Sequence, residues 1–438
     1  MPSIWTKYNV DGEKIPKYTS GTYRLKIIVD NPEAIFGIKT SNIRMSNTIY
    51  VNGEPVGNSG DPAENVSYKP HNFPYVAYFS PGKQEIELLV HVANFDYASG
   101  GGIVGFIFFG DQQSIGKLRE SSLTYDWVTI AAFLTMFVYF VGSYFHARIN
   151  VDQFFFSLFC FANVLYTASH GEKAFQVIFP LITYGVFERI QMLSSILVGW
   201  SMLLYFYHAL KSFASKRLVN ILSITGLLLM SSSMLPVKVN SSLQNIFSLY
   251  ILIVILYAIY IQFIAYHNRS VGAAYLLFST FTILVYYIVG TLNIVSKFPI
   301  TLLPPLLPFI CLTMLSLYIS HRLIDSYLKK EEISNALMRV DKLKDEFFAK
   351  ISHEFRTPLH GIIVISQSMQ ERSNSPLTKE QNEKMSLIMS IAQKLSYLVN
   401  DYSGYFEIKG RTIKISYCSG RFVCHFTCSG RRLFVYGG

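Results

Sequence analysis

Residues 347–359 read Phe347-Phe348-Ala349-Lys350-Ile351-Ser352-His353-Glu354-Phe355-Arg356-Thr357-Pro358-Leu359. Phe347, Phe348, Ile351, Phe355, Leu359, Ile362 and Ile363 recur at threes and fours, the period of one apolar helix face. His353 and Thr357 are four apart, so they project from one side of that helix a turn apart. Pro358 has no amide hydrogen, and its ring crowds the carbonyl of Glu354, so the helix is expected to bend just below the histidine. A neutral imidazole is a competent nucleophile near neutral pH, since an unperturbed histidine titrates at about 6.5. It still needs orienting. Arg356 reads as a phosphate-facing or surface charge, and His360, with no such frame around it, as an ordinary helix residue.

The His353-Glu354-Phe355-Arg356-Thr357-Pro358 run resembles the H box of sensor histidine kinases. In that family a histidine on the first helix of a dimeric four-helix bundle takes a phosphoryl group from ATP and passes it to an aspartate of a response regulator. The resemblance assigns that role to His353. Glu354 is then the general base, accepting a hydrogen bond from one ring nitrogen and raising the nucleophilicity of the other. Thr357 falls where the family positions water for dephosphorylation. ATP with Mg is implied as phosphoryl donor, reaching His353 through an ATP-binding domain or a partner kinase.

Upstream, Ile333, Leu337, Val340, Leu343 or Lys344, Phe347 and Ile351 continue the threes and fours as a coiled-coil seam. A second helix, after Ser375-Pro376, presents Met385, Ile388, Ile391, Leu395, Leu398, Tyr402 and Tyr405 at the same spacing. Two helices cannot bury both stripes alone. Pairing with a second copy would, so the sequence predicts a homodimer closing a four-helix bundle.

Further upstream the chain is a membrane protein by composition. Of 438 residues 51% are hydrophobic and only 15% charged, against roughly 25% charged in an average soluble domain. The net charge of +10 does not point to nucleic acid. Lys409, Arg411, Lys414, Arg421, Arg431 and Arg432 follow Glu407 with no acid among them, so 6 of the 10 belong to the tail. Seven apolar spans are predicted: Trp127–Phe145, Phe154–Ser169, Ile190–Tyr207, Leu218–Val237, Ile246–Tyr266, Ala273–Val295 and Ile300–Ile319, each near the roughly 20 residues a bilayer needs. The run Ala174 to Phe187, holding Pro180, is too short to cross comfortably and reads as an external or re-entrant segment. Loops after odd spans carry Arg148, then Lys211, Lys216 and Arg217, then Arg269, then Arg322, Lys329 and Lys330. The opposite loops carry Lys173, Arg189, Lys238 and Lys297. That excess places the odd loops, and the H box, in the cytoplasm.

Residues 1–120 read as an all-β sandwich. Candidate strands are Thr22–Val29, Ile35–Ile38, Thr48–Val51, Tyr75–Phe79, Glu85–Val92 and Ile103–Phe109, with Asn52-Gly53 as a type I′ hairpin turn. Gly21-Thr22-Tyr23-Arg24-Leu25 and the stretch Asn94-Phe95 to Gly100-Gly101-Gly102 resemble jelly-roll, carbohydrate-binding-like sensor domains found outside the membrane in some bacterial kinases. Trp5, Tyr75 and Tyr78 are the aromatics that could stack on a sugar or else fill the core. Taken with the spans, residues 1–320 resemble the bacterial seven-transmembrane receptors with diverse intracellular signalling modules.

The expected organisation is an extracytoplasmic β domain over 1–120, a seven-helix membrane domain over 121–320, a signalling coiled-coil helix over 321–346 and a phosphotransfer domain over 347–411. A tail without helical or strand period follows over 412–438. Asp401 to Arg411 resembles the family's exit from its second helix, and no asparagine or D-x-G-x-G of an ATP-binding domain follows. The chain is therefore expected to be truncated by a shifted frame or interrupted gene, and not to autophosphorylate alone. No signal peptide is visible at the amino terminus, so the chain is expected to start late. Cys160 and Cys311 sit inside apolar spans as small hydrophobes. Cys418, Cys424, Cys428 and His425 lack the C-x2-C pair of structural zinc sites, so no metal is expected. Two rival readings remain: a non-enzymatic receptor or interfering partner that dimerises with an intact kinase, and a transporter, against which the scarcity of charge within the spans argues.

Overall fold

The computed structural model describes residues 4–10, 12–64, 67–147, 151–295, 306–371, 378–409, 423–428 and 431–436. Outside them lie Arg148, Lys297, the start of the span placed at Ile300, the Ser375-Pro376 break and Cys418. The side chains of Tyr402, Tyr405, Cys424, His425 and Cys428 are also outside the description. The chain divides into two compact units, Met1–Leu323 and Ile324–Gly438.

The first unit opens with a 3-10 turn at Trp5–Lys7 and eleven strands. They are β1 Asn9–Val10, β2 Glu13–Lys14, β3 Thr19–Ile28, β4 Phe36–Thr40, β5 Ile43–Arg44, β6 Ser46–Val51, β7 Glu54–Ser59, β8 Val76–Phe79, β9 Glu85–Asn94, β10 Gly102–Ile103 and β11 Ile107–Asp111. A four-stranded sheet runs β3-β9-β6-β7 and a three-stranded one β11-β4-β8, with β1-β2 and β10-β5 as short pairs. Period-two alternation is clean in β9, where Ile86, Leu88, Val90 and Val92 are buried, because successive side chains of a strand face opposite ways. They join Ile38, Ile49 and Val51 in one core between the sheets. Asn52 (φ 53°) and Gly53 (φ 90°) both adopt positive φ between the paired strands β6 and β7, the conformation a type I′ turn requires. The stretch expected as one strand from Ile103 to Phe109 is two, interrupted where Gly105 donates its N–H to Asn42 O at 2.7 Å. Trp5 is 3% exposed and belongs to the core, as does half-buried Tyr75. Tyr78 stays exposed.

Helices follow: α1 Gln112–Ala147, α2 Val151–Ser169, α3 Ala174–Ile178, α4 Tyr184–Ala209, α5 Lys216–Ser232, α6 Val237–Ser242, α7 Gln244–His267, α8 Ala273–Val295 and α9 Leu307–Glu371. Six of these, α1, α2, α4, α7, α8 and α9, contain stretches long and apolar enough to cross a membrane. The helix expected over Leu218–Val237 is α5, whose 17 residues end at Ser232. Its stop lies in Ser231-Ser232-Ser233 and Pro236: serines pair with nearby backbone, and the residue before a proline is pushed out of the α region.

The run expected as an external segment from Ala174 to Phe187 is in fact divided. Ala174–Ile178 is a single helical turn, and Tyr184–Phe187 is the first turn of α4, which starts six residues before the expected Ile190. Glu188 and Arg189 therefore lie inside a helix rather than in a loop. Glu188 is fully buried, with Asn240 Nδ2 donating to both its oxygens at 3.0 and 3.2 Å. With Asp126 in α1 and Asp152 in α2, the helices carry more acid than the sequence-defined spans did.

The β domain is fastened to one end of the helices. Lys39 on β4 meets Glu172, after α2, at 2.5 Å. The backbone N–H of Glu172 donates to Asp126 Oδ2 on α1 at 2.9 Å. Gly171, at φ 59°, allows this approach, since a Cβ there would lie 2.7 Å from Asp126 Oδ2. Ala98 N–H donates to Ser241 Oγ on α6, and Tyr97 Oη–H to Gln244 Oε1 at the start of α7, both at 2.9 Å. At the opposite end of α2, about 25 Å away at 1.5 Å per residue, Asp152 pairs with Arg322 of α9.

In the second unit α9 runs on to Glu371 through Pro358, and α10 spans Lys379–Lys409. A strand pair, β12 Val423–Cys428 and β13 Arg431–Tyr436, occupies the tail in which no strand period was expected. Each run is only six residues long, too short to give much alternation to read.

Candidate functional site

His353, Glu354 and Thr357 all lie on α9 and are exposed. Helical spacing puts His353 and Thr357 on one face, while Glu354, one residue on, is rotated about 100° from the histidine. Among the described residues no hydrogen bond joins His353 to Glu354, and His353 as a whole is exposed. The neighbours explain the presentation. Ser352, Leu359 and Ser366 are the buried positions of this part of α9, and Phe348, Ile351 and Ile363 are half-buried. Ser352, Leu359 and Ser366 are seven apart, with Phe348 four before Ser352 and Ile363 four after Leu359, so one helix face turns inward and leaves His353 beside it.

The apolar stripes expected to pair are largely uncovered in a single chain. On α9, Ile333, Leu337, Val340, Leu343, Phe347, Phe355 and Ile362 are exposed, and on α10 so are Ile388, Ile391, Leu395 and Leu398. On α10, Ala392 is the buried residue among those whose side chains are described. Such a continuous exposed apolar surface on polar helices marks an interaction face.

A β sandwich seated on helices long and apolar enough to cross a membrane, with the last of them continuing into an exposed His-Glu-x-x-Thr-Pro, has the organisation of a membrane protein carrying a candidate phospho-acceptor histidine. Comparison with known proteins agrees. Residues 122–325 match the family 7TM diverse intracellular signalling, and residues 343–406 match the His Kinase A (phospho-acceptor) domain. The chain thus joins a match to the membrane module of seven-transmembrane receptors with diverse intracellular signalling modules to a match to the phospho-acceptor module of histidine kinases, the combination found in sensor histidine kinases of that type. Relatives include Hybrid signal transduction histidine kinase A of Dictyostelium discoideum, 34% identical over 88 residues covering 20% of this chain and 4% of that protein. Autoinducer 2 sensor kinase/phosphatase LuxQ of Vibrio cholerae is 32% identical over 74 residues, 17% of this chain and 8% of that protein. The chain thus matches under a tenth of the length of either relative. A solved GH2 beta-galacturonidase from Eisenbergiella tayi aligns with 25% of the chain and 19% of its own at 16% identity, with a TM-score of 0.20.

The sequence reading missed three relationships: the Lys39–Glu172 ion pair, the Asp152–Arg322 pair where α9 leaves the membrane helices, and Arg44 stacked 4.5 Å over the Tyr97 ring. Arg44 and Tyr97 are 53 residues apart and Asp152 and Arg322 are 170 apart. No local pattern links such partners. The one available signal was charge at the ends of apolar spans, which read as loop charge.

Proposed function

We propose that this chain serves a two-component phosphorelay, with His353 accepting a phosphoryl group from ATP and yielding it to a response-regulator aspartate. The observation that carries this reading is that His353 and Thr357 stand exposed on one face of α9 inside the stretch matching the phospho-acceptor family. A neutral ring nitrogen of His353 attacks the γ-phosphorus. The nitrogen–phosphorus bond forms as the bond to the ADP oxygen breaks, and the proton on the other nitrogen passes to the Glu354 carboxylate. In the reverse direction the Thr357 hydroxyl positions water against the phosphoryl group. ATP and Mg are held by a kinase ATP-binding domain acting on the histidine.

Two copies of α9 and α10 close a four-helix bundle over the exposed stripes, an arrangement that would remove that apolar surface from water. The membrane part crosses the bilayer seven times, α5 included, with the β domain outside a bacterial cell and His353 in the cytoplasm. The basic residues Lys211 and Arg269 in loops, and Lys216 and Arg217 at the start of α5, support that orientation. Organisation into an extracytoplasmic sandwich over 1–120, membrane helices over 121–320, a signalling helix over 321–346 and a phosphotransfer domain over 347–411 follows from the same reading.

The test is to incubate the purified chain, in lipid nanodiscs, with γ-labelled ATP, Mg and an intact histidine kinase of the same type. Acid-labile label on the chain that is absent from His353→Gln supports the proposal. Equal labelling of the His353→Gln chain sinks it.

A further inference from the structure

Among the described residues, three lysine or arginine side chains are buried where the β domain meets the helices: Lys39, Arg44 and Lys173. Buried charges in proteins are paired or neutralised. Lys39 follows the rule, through Glu172. For the other two no acidic oxygen lies within ion-pairing distance among the described residues. Arg44, 8% exposed, has its guanidinium 4.5 Å over the Tyr97 ring and no hydrogen bond of its own there. Lys173, 7% exposed, donates to the carbonyl of Asn72 and lies 5.5 Å from the Phe187 ring centre. Gln176, three residues on, is 5% exposed, and neither its amide nitrogen nor its oxygen has a partner.

We propose that the interface around Arg44 and Lys173 is a binding site for a small organic carboxylate. Arg44 cannot shed its proton, and with one guanidinium face on Tyr97 its edge remains to meet a planar carboxylate. Lys173 adds a second donor, and the free amide of Gln176 offers both a donor and an acceptor to an adjoining hydroxyl. Placement explains why such a ligand would matter. Arg44 and the Asn72 carbonyl belong to the β domain, whereas Lys173 and Gln176 belong to the segment joining α2 to α4. A bound anion would therefore bridge the two and hold them together.

Of the other titratable groups, the buried Glu188 acts on Tyr97 and Tyr184 from the same side as Arg44, but outside ion-pairing distance of it and bonded to Asn240. His71, on the loop before β8, is lowered by burial and then by the charge of Lys173. His170, beside Lys173 in its own loop, is lowered to about 4, mainly by burial. Glu172 is committed to Lys39, and Asp126 accepts from the Glu172 amide. Lys173 itself is lowered to about 7 by burial first and the Arg44 charge second. Protonated Lys173 favours the anion, so affinity should weaken about tenfold from pH 6 to pH 8.

Binding can be read on the full chain in detergent micelles, apart from any phosphoryl chemistry. Acetate, lactate and succinate are titrated at pH 6 and pH 8 while thermal unfolding is followed. Sodium chloride at equal ionic strength, inorganic phosphate and glucose are the controls. The proposal expects a saturable rise in Tm with at least one carboxylate, stronger at pH 6 and lost in Arg44→Gln. The unliganded Arg44→Gln chain should melt no lower than the original, because the substitution removes an uncompensated buried charge. Equal response to chloride, response to phosphate or glucose alone, or a carboxylate response surviving Arg44→Gln overturns it. This site is a stimulus site only if the phosphorelay reading holds, but binding should be unchanged in His353→Gln. Failure of that reading would therefore leave this measurement standing.

Discussion

Lys39 of the β sandwich and Glu172 of the loop after α2 form an ion pair at 2.5 Å, with side chains only 5% and 13% exposed. Together with the Glu172 amide bonded to Asp126, the pair ties a strand, a loop and the first membrane helix at one point. Removing one partner of such a pair leaves a buried charge alone, which costs about 3–5 kcal/mol. Lys39→Met or Glu172→Met should each destabilise the first unit by that order. The Lys39→Met, Glu172→Met double variant should recover most of the loss, since a well-packed apolar pair is often as stable. A double-mutant cycle in denaturant gives the coupling directly, and additive single losses would show that the two do not act as a pair.

Lys173 makes stability depend on pH in a definite direction. Burial and Arg44 lower it to about 7 from 10.5, so between those values the unfolded chain holds a proton that the folded chain has released. Stability should then rise with pH across roughly 7 to 10, by at most about 1.4 kcal/mol per unit, and be flat for this group below 7. Lys173→Met should remove the slope and stabilise the chain at pH 6. Denaturation midpoints at pH 6, 7, 8 and 9 in chloride buffer, free of carboxylates, measure both effects.

What could be read from the sequence was whatever carries its reason locally. His353, Glu354, Thr357 and Pro358 fall within six residues, and Asn52-Gly53 needs only its own backbone preference to announce a turn. The start of α4 was misplaced because a glutamate reads as solvent-exposed. Glu188 is buried instead, with an amide 52 residues away bonded to both its oxygens. Trp5 could have been a sugar platform or a core residue. Its burial was settled by the β9 and β6 side chains it packs among, which no spacing reveals. The interface that sets Arg44 near Lys173 joins segments more than a hundred residues apart, and only the folded chain brings them together.

The Asn52-Gly53 turn offers a test of the β domain alone. Gly53 sits at φ 90°, where a Cβ would strain the backbone but meets no neighbour within 4 Å. Gly53→Ala should cost about 1 kcal/mol through backbone strain without disturbing packing. Asn52→Ala should cost more, since the Asn52 side chain also donates to Pro81 O at 3.2 Å and accepts from the Glu87 amide at 2.9 Å. Chemical denaturation of the two variants ranks them.

Arg322 and Asp152 clasp the end of α2 to α9 where α9 leaves the membrane helices, with 43% and 15% of their side chains exposed. Partial exposure limits the worth of the pair to about 1 kcal/mol or less. Arg322→Gln should therefore leave the melting temperature nearly unchanged, and any change in phosphoryl transfer to His353 would reflect the clasp acting on α9 rather than lost folding. Thr357 gives the complementary measurement on the same helix. It is exposed, so Thr357→Ala should alter stability by less than about 0.5 kcal/mol. If its hydroxyl positions water, the variant should take up label as the original does but lose it about ten- to a hundredfold more slowly, the order a misplaced reactant costs. Chasing labelled chain with unlabelled ATP separates the two steps, and unchanged loss from Thr357→Ala would remove that residue from the reverse reaction.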